Sequence, residues 1–152
     1  MRRKRFFSMA VAALVAGTLI TALTPTAALA AVRIKNGGGK FLGASGNNVI
    51  VDSLGLAWSE VNDGNYITFY RSSQSLNLGL SGNSSAVGTR AVLTTPSGNF
   101  TQDWRIEFVN NTQFRLHSRA SDGRCLGVSG GSSGTNVALF TCDGTSNQRW
   151  SR

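Results

Sequence analysis

The stretch Leu126-Gly127-Val128-Ser129-Gly130, followed at position 150 by a tryptophan, decides how this chain folds, because the pattern occurs three times. Leu42-Gly43-Ala44-Ser45-Gly46 precedes Trp58, and Leu78-Gly79-Leu80-Ser81-Gly82 precedes Trp104. These are the only three tryptophans of the chain, and they stand 46 residues apart, from 58 to 104 and from 104 to 150. A rare residue at equal intervals, each time behind the same pentapeptide, marks an internal repeat of three units. Between pentapeptide and tryptophan each unit carries a short apolar segment: Val49-Ile50-Val51, Ala91-Val92-Leu93 and Val137-Ala138-Leu139. The second and third begin 13 residues before their tryptophan and the first nine before it, so the first unit has the shorter loop.

Each unit opens with apolar and polar residues in alternation: Val32-Arg33-Ile34, Tyr66-Ile67-Thr68-Phe69 and Phe114-Arg115-Leu116. Period two is the signature of half-buried strands. Asn36-Gly37-Gly38-Gly39, Asp63-Gly64-Asn65 and Ser121-Asp122-Gly123 bound those strands with turn formers. No window beyond the first thirty residues keeps a helical period. The units read as roughly 32–62, 63–110 and 111–152, each a set of about four short strands by these strand and turn signals. Because the chain ends two residues past Trp150, the last strand is expected beside the first. That closes an all-β barrel and removes exposed sheet edges.

The first thirty residues belong to another category. Arg2-Arg3-Lys4-Arg5 is followed by an apolar run from Phe6 to Ile20, and the segment ends on Ala28-Leu29-Ala30. Basic, then apolar, then small-x-small is a secretory signal peptide, which places the mature protein outside the cell. The run is short and its tail Ala/Thr-rich, which disfavours a membrane-spanning helix and stable membrane insertion after cleavage. The paired arginines raise twin-arginine export, although the apolar residues after them fit that pattern poorly.

Taking the leader away changes the charge. The whole chain has 15 basic and 7 acidic residues, a net +8, but four of the basic residues lie in the leader. Residues 31–152 keep eleven against seven, a net +4. The remaining cations are scattered and none alternates with aromatics, which removes the support for nucleic-acid binding. Seventeen of those 122 residues are glycine, with abundant Ser, Asn and Thr, a poor composition for helices. A chain of this length is one domain and buries roughly two-thirds of its unfolded surface. Two cysteines, Cys125 and Cys142, in an exported chain are expected to form one disulfide.

Gln102-Asp103-Trp104 and Gln148-Arg149-Trp150 resemble the Gln-x-Trp motif of ricin B-type lectin domains. The third unit resembles that family from Phe114 to Trp150, including Cys125-Leu126-Gly127-Val128-Ser129 and Asn147-Gln148-Arg149-Trp150. The first unit has Leu56-Ala57-Trp58 in place of the motif, and its Lys40-Phe41-Leu42-Gly43-Ala44 and Trp58-Ser59-Glu60 are similar to fascin-type trefoil repeats. The resemblance covers essentially residues 32–152. It implies a β-trefoil of three repeats of about 40 residues, a six-stranded barrel capped by three hairpins. It implies that Trp58, Trp104 and Trp150 are core, as the burial of large aromatics also suggests. It implies that Cys125 and Cys142 are bridged within the third unit, and that the motif glutamine holds its loop.

Sugar recognition combines an aromatic face with short polar groups of fixed direction. In the resembled family a site draws on an Asp after the strand leucine, an aromatic on the next strand and an Asn before the motif Gln. The third unit has Phe140, Asn147 and Gln148, with Gly127 at the Asp place. The second has Gly79, Thr94 and Thr101, and the first Gly43, Asp52 and Gly55. The acid is therefore absent from all three units, leaving Asp143 or Asp122 as loop substitutes. The expected function is a secreted, lectin-like module that binds glycans through its third unit without catalysis. The alternative is a secreted trefoil with no sugar site that binds or inhibits a protein partner.

Enzyme signals give way to the repeat. Gly127-Val128-Ser129-Gly130-Gly131 fits the nucleophile-elbow pattern, but Ser45 and Ser81 occupy the same place in the other units, so Ser129 reads as a turn residue. His117, the only histidine, lies on an alternating strand, solvent-facing or satisfied within the fold. Asp122 and Asp143 sit in glycine-rich turns, where Asp is a common turn former rather than half of a glycosidase pair. No zinc or nucleotide motif is present, so neither a metal nor a cofactor is expected. Secreted material should begin at Ala31 by intact mass; a mass retaining residues 1–30 would refute export by this leader.

Overall fold

A computed structural model of the chain describes residues 30–152. The expected signal peptide lies, but for Ala30, outside the described residues. The rest is one continuous sheet of short antiparallel strands. The first unit contributes β1 (Val32–Arg33), β2 (Lys35–Asn36), β3 (Phe41–Ser45), β4 (Asn48–Asp52) and β5 (Ala57–Asp63). The second contributes β6 (Tyr66–Arg71), β7 (Leu76–Leu80), β8 (Ala91–Thr94) and β9 (Trp104–Phe108). The third contributes β10 (Phe114–Ser118), β11 (Ser121–Val128), β12 (Thr135–Thr141) and β13 (Trp150–Ser151).

The pairing closes on itself. From β6 the sheet runs through β7, β8, β4, β12, β11 and β10 to β9, and β9 returns to β6 at Ile67 and Trp104. The last strand lies beside the first unit, with Trp150 opposite Asn36 and Ser151 opposite Lys35. The equivalent strands β4, β8 and β12 meet one another: Asn48 pairs with Val92, Val51 with Thr135, and Arg90 bridges to Ala138. This is the threefold closure of a β-trefoil, and it leaves few free backbone edges.

The core takes equivalent residues from each unit: Ile34, Phe69 and Leu116, then Leu42, Leu78 and Leu126, then Val51, Leu93 and Leu139, all buried in one cluster. Trp58, Trp104 and Trp150 are completely buried. Alternation explains which residues are buried: on β4, Val49 and Val51 are buried while Ile50 is half-buried between them. An indole with no exposure still needs a partner for its N–H. Each Nε1 donates to the carbonyl of its own unit's pentapeptide leucine: Trp58 to Leu42 at 3.3 Å, Trp104 to Leu78 at 3.2 Å and Trp150 to Leu126 at 2.9 Å. The recurrence of Leu and Trp in sequence is therefore a physical tether repeated three times. Trp150→Ala removes both the buried body and the tether, and should cost about 3–5 kcal/mol in urea unfolding.

Candidate functional site

The glycine after each tethered leucine has a packing reason. A methyl group at Gly43 would lie 2.3 Å from Asp52 Oδ2, and one at Gly79 2.7 Å from Thr94 Cγ2 and 3.1 Å from Gln102 Cγ. At Gly127 it would meet Gln148 Cγ at 2.9 Å, the Asn147 carbonyl oxygen at 3.1 Å and Phe140 Cδ2 at 3.3 Å. The place where an acid was sought is thus crowded by the loop that closes over it. The same contacts bring Phe140, Asn147 and Gln148 together around Gly127.

Phe140 lies near the end of β12, opposite Cys125 of β11. Its ring is half-buried, as is Asn147, whereas Gln148 is 2% exposed. A buried amide must be paired on both ends. Gln148 Nε2 donates to the Thr141 carbonyl at 2.8 Å, and its Oε1 accepts from the Asp143 amide at 3.0 Å. Gln148 therefore holds the 141–148 loop, and it positions the site rather than presenting a free amide. In the second unit Gln102 does the same work, with Nε2 on the Thr95 carbonyl at 2.9 Å and Oε1 accepting from Ser97 N at 3.0 Å and Asn77 Nδ2 at 2.9 Å. The first unit lacks the glutamine, and Asp52 Oδ1 substitutes by accepting from the amides of Leu54 and Gly55.

Two further ties fix the third-unit loop. Cys125 and Cys142 are disulfide-bonded, with Cα atoms 5.0 Å apart, as expected. Asn36 was legible only as a turn residue, yet it is 4% exposed and its Nδ2 donates to the Asn147 carbonyl at 3.0 Å. The backbone of Asn147 is thereby held from the first unit while its side chain makes no hydrogen bond to the protein among the described residues. Gly37 lies so close to the Ser146 carbonyl, 2.5 Å from an added Cβ, that the Asn36-Gly37 turn serves as the wall of this loop.

Both loop acids are engaged locally through Oδ1. Asp122 Oδ1 accepts from Arg105 Nε at 2.9 Å and Nη2 at 2.6 Å. Asp143 Oδ1 accepts from the Thr145 amide at 2.9 Å, and this bond, with the Thr145 hydroxyl, holds its carboxyl below the ordinary Asp value. His117 is satisfied, as anticipated, but buried: it is 6% exposed, with Nδ1 2.6 Å from the Asp122 carbonyl and Nε2 on the Glu107 carboxylate. Ser129 is exposed at the end of β11, like Ser45 and Ser81 in their units. No hydrogen bond links Ser129 to His117 among the described residues. His117, Cys125 and Cys142 form a cluster with ligand-type atoms within 4.8 Å, but the sulfurs are bonded to each other rather than available as thiolates.

The ricin-type beta-trefoil lectin domain matches residues 63–152 of the sequence. No curated protein sequence matches the chain. The fold resembles that of the designed 3-fold symmetric protein ThreeFoil, at a TM-score of 0.72 and 24% identity over 78% of this chain and 94% of that one. The Macrolepiota procera ricin B-like lectin, solved in complex with lactose, gives 0.70 and 24% over 84% and 97%. An exo-beta-1,3-galactanase from Clostridium thermocellum gives 0.73 and 18% over 80% of this chain, which spans only 29% of the galactanase chain.

The loop geometry separates two substitutions that sequence alone would treat alike. Gln148→Ala should lower stability by about 1–3 kcal/mol, because buried backbone groups lose their partners. Asn147→Ala should leave the urea midpoint nearly unchanged. Alkylation without reduction should label neither cysteine, and reduction should cost about 2–5 kcal/mol.

Proposed function

Since the chain belongs to the ricin-type beta-trefoil lectin domain family, we propose that it is a secreted carbohydrate-binding module that holds glycans through its third unit without transforming them. The observation that carries this reading is the approach of the Phe140 ring and the Asn147 backbone to Gly127. Both side chains are half-exposed, and their backbones are fixed by Gln148, the disulfide and Asn36. A half-exposed ring offers a face for the apolar side of a pyranose, and the Asn147 amide, without a hydrogen-bond partner among the described residues, offers a donor and an acceptor to hydroxyls. The other units keep no such pair: Thr94 and Thr101 stand in the second, and Asp52 in the first is bonded to its own loop.

The site has no buried carboxylate to grip two hydroxyls at once, so binding through it is weak. The non-catalytic reading is supported by the match to a lectin domain. Export is supported by the leader and by a disulfide, since such bonds persist in oxidising compartments. A protein-binding role is the competing reading. It is favoured by the exposed Phe108 and Val109, 63% and 37% accessible, where β9 runs into the turn before β10.

A broad glycan array decides between the two, with lactose, the ligand present in the Macrolepiota lectin structure, as a first soluble probe. Phe140→Ala should abolish array binding while the protein stays folded, and Asn147→Ala should weaken it by about 1–3 kcal/mol. Equal binding by Phe140→Ala and the native chain would move the site elsewhere. An array with no positive glycan would leave the protein-partner reading.

A further inference from the structure

Two strand positions recur in every unit and carry different chemistry in each. They flank the inward-facing Ile34, Phe69 and Leu116, and the register fixes the equivalence: Lys35 lies opposite Phe41, Tyr70 opposite Asn77 and His117 opposite Cys125. The second unit places Thr68 and Tyr70 there, neither of them a basic residue. The third places Arg115 and His117 there, and Glu107 meets both, with its Oε1 3.3 Å from Arg115 Nη2 and its Oε2 on His117 Nε2. The first places Arg33 and Lys35 there, both exposed, with Ala57 opposite Arg33.

Among the described residues no carboxylate pairs with these two cations. All seven acidic residues are engaged elsewhere: Glu60 with Arg152, Asp63 and Asp103 with Arg119, Glu107 with Arg115 and His117, and Asp122 with Arg105. Asp52, the acid on the strand beside Phe41, is bonded to the amides of Leu54 and Gly55, and Asp143 to that of Thr145. Arg33 and Lys35 instead share one aromatic neighbour. The Arg33 guanidinium carbon lies 6.0 Å and Lys35 Nζ 5.8 Å from the centre of the half-buried Phe41 ring. Cations over a ring at this distance are weakly held. They are pre-positioned as a pair yet free to take a better partner, and Lys40 adds a third cation on the turn of the same hairpin.

We propose that this first-unit face is a second carbohydrate contact, which takes the sulfate or carboxylate groups of an acidic glycan between Arg33 and Lys35. The inference rests on the chain being a glycan-binding module, but it uses a different unit and different residues from the neutral-sugar site. Guanidinium and ammonium groups pair strongly with such anions, Arg in two-point fashion and Lys as a point charge. Nucleic acid is the less suited occupant, because among the described residues no second ring pairs with Phe41 to receive successive bases.

The test measures binding of full mature chain to immobilised heparin, with duplex DNA of matched charge as the second probe. Arg33→Ala/Lys35→Ala is compared with Arg71→Ala/Arg90→Ala, which removes the same charge from the second unit. At about 0.05 M salt, where screening is slight, the first double variant should bind heparin at least about fivefold more weakly and the second should change less than about twofold. Circular dichroism of both variants should match the native chain. Phe140→Ala should retain heparin binding, so an array negative for neutral glycans with heparin binding intact would sink the third-unit reading and support this one. Equal losses in the two double variants, no heparin binding by the native chain, tighter binding of the DNA, or loss of heparin binding in Phe140→Ala would each overturn the proposal.

Discussion

The indole-to-carbonyl tether is the interaction on which the rest of the structure depends. A tryptophan contributes more apolar surface than any other side chain, but it can be wholly buried only if its N–H finds an acceptor. Here the acceptor is always the carbonyl of the leucine that begins the unit's pentapeptide, at Leu42, Leu78 and Leu126. The tether fixes how far the strand that carries the leucine stands from the strand that carries the tryptophan. Between these fixed ends the loop is free to change length, and so the first unit tolerates a shorter loop without loss of the barrel.

The close approach created by that tether governs the layer above it. A loop brought down over the leucine strand crowds Gly79 and Gly127, while Gly43 faces the Asp52 carboxylate. The loop's own polar groups are then shut away from water and require partners. Each unit supplies them differently. Asp52 serves the first, Gln102 with Asn77 the second, and Gln148 reinforced by a disulfide the third. The third arrangement alone leaves a half-exposed aromatic ring and amide at the rim, and for that reason the candidate site is asymmetric on a nearly symmetric fold.

Charge follows the same division between frame and surface. The seven acids are used within the molecule, several of them across unit boundaries. Arg119 shows the pattern best: its guanidinium pairs with Asp103 at 3.0 Å and lies 4.5 Å from the Tyr66 ring and 4.1 Å from the Phe100 ring, joining the second and third units. Among the cations left without a carboxylate, Arg33 and Lys35 of the first unit are the two that share one aromatic neighbour, Phe41.

The sequence alone determined the three units, the all-β closure, the buried tryptophans, the paired cysteines and the turn role of the pentapeptide serines. Those features are local: alternation fixes which face of a strand is buried, and turn formers fix where it stops. The Trp spacing, together with the small set of ways three such units can bury one core, carries the fold. Only the tertiary structure decided what Gln148, Gly127 and His117 do, and that Arg33 and Lys35 stand unpaired over one ring. Those roles come from groups brought together across long stretches of chain, as with Asn36 and the Asn147 carbonyl, 111 residues apart. Burial of an amide, crowding above a glycine and the reach of a carboxylate depend on which loop closes over which strand. Spacing along the chain records that a loop exists, whereas the atoms it covers are set by the closure of the barrel.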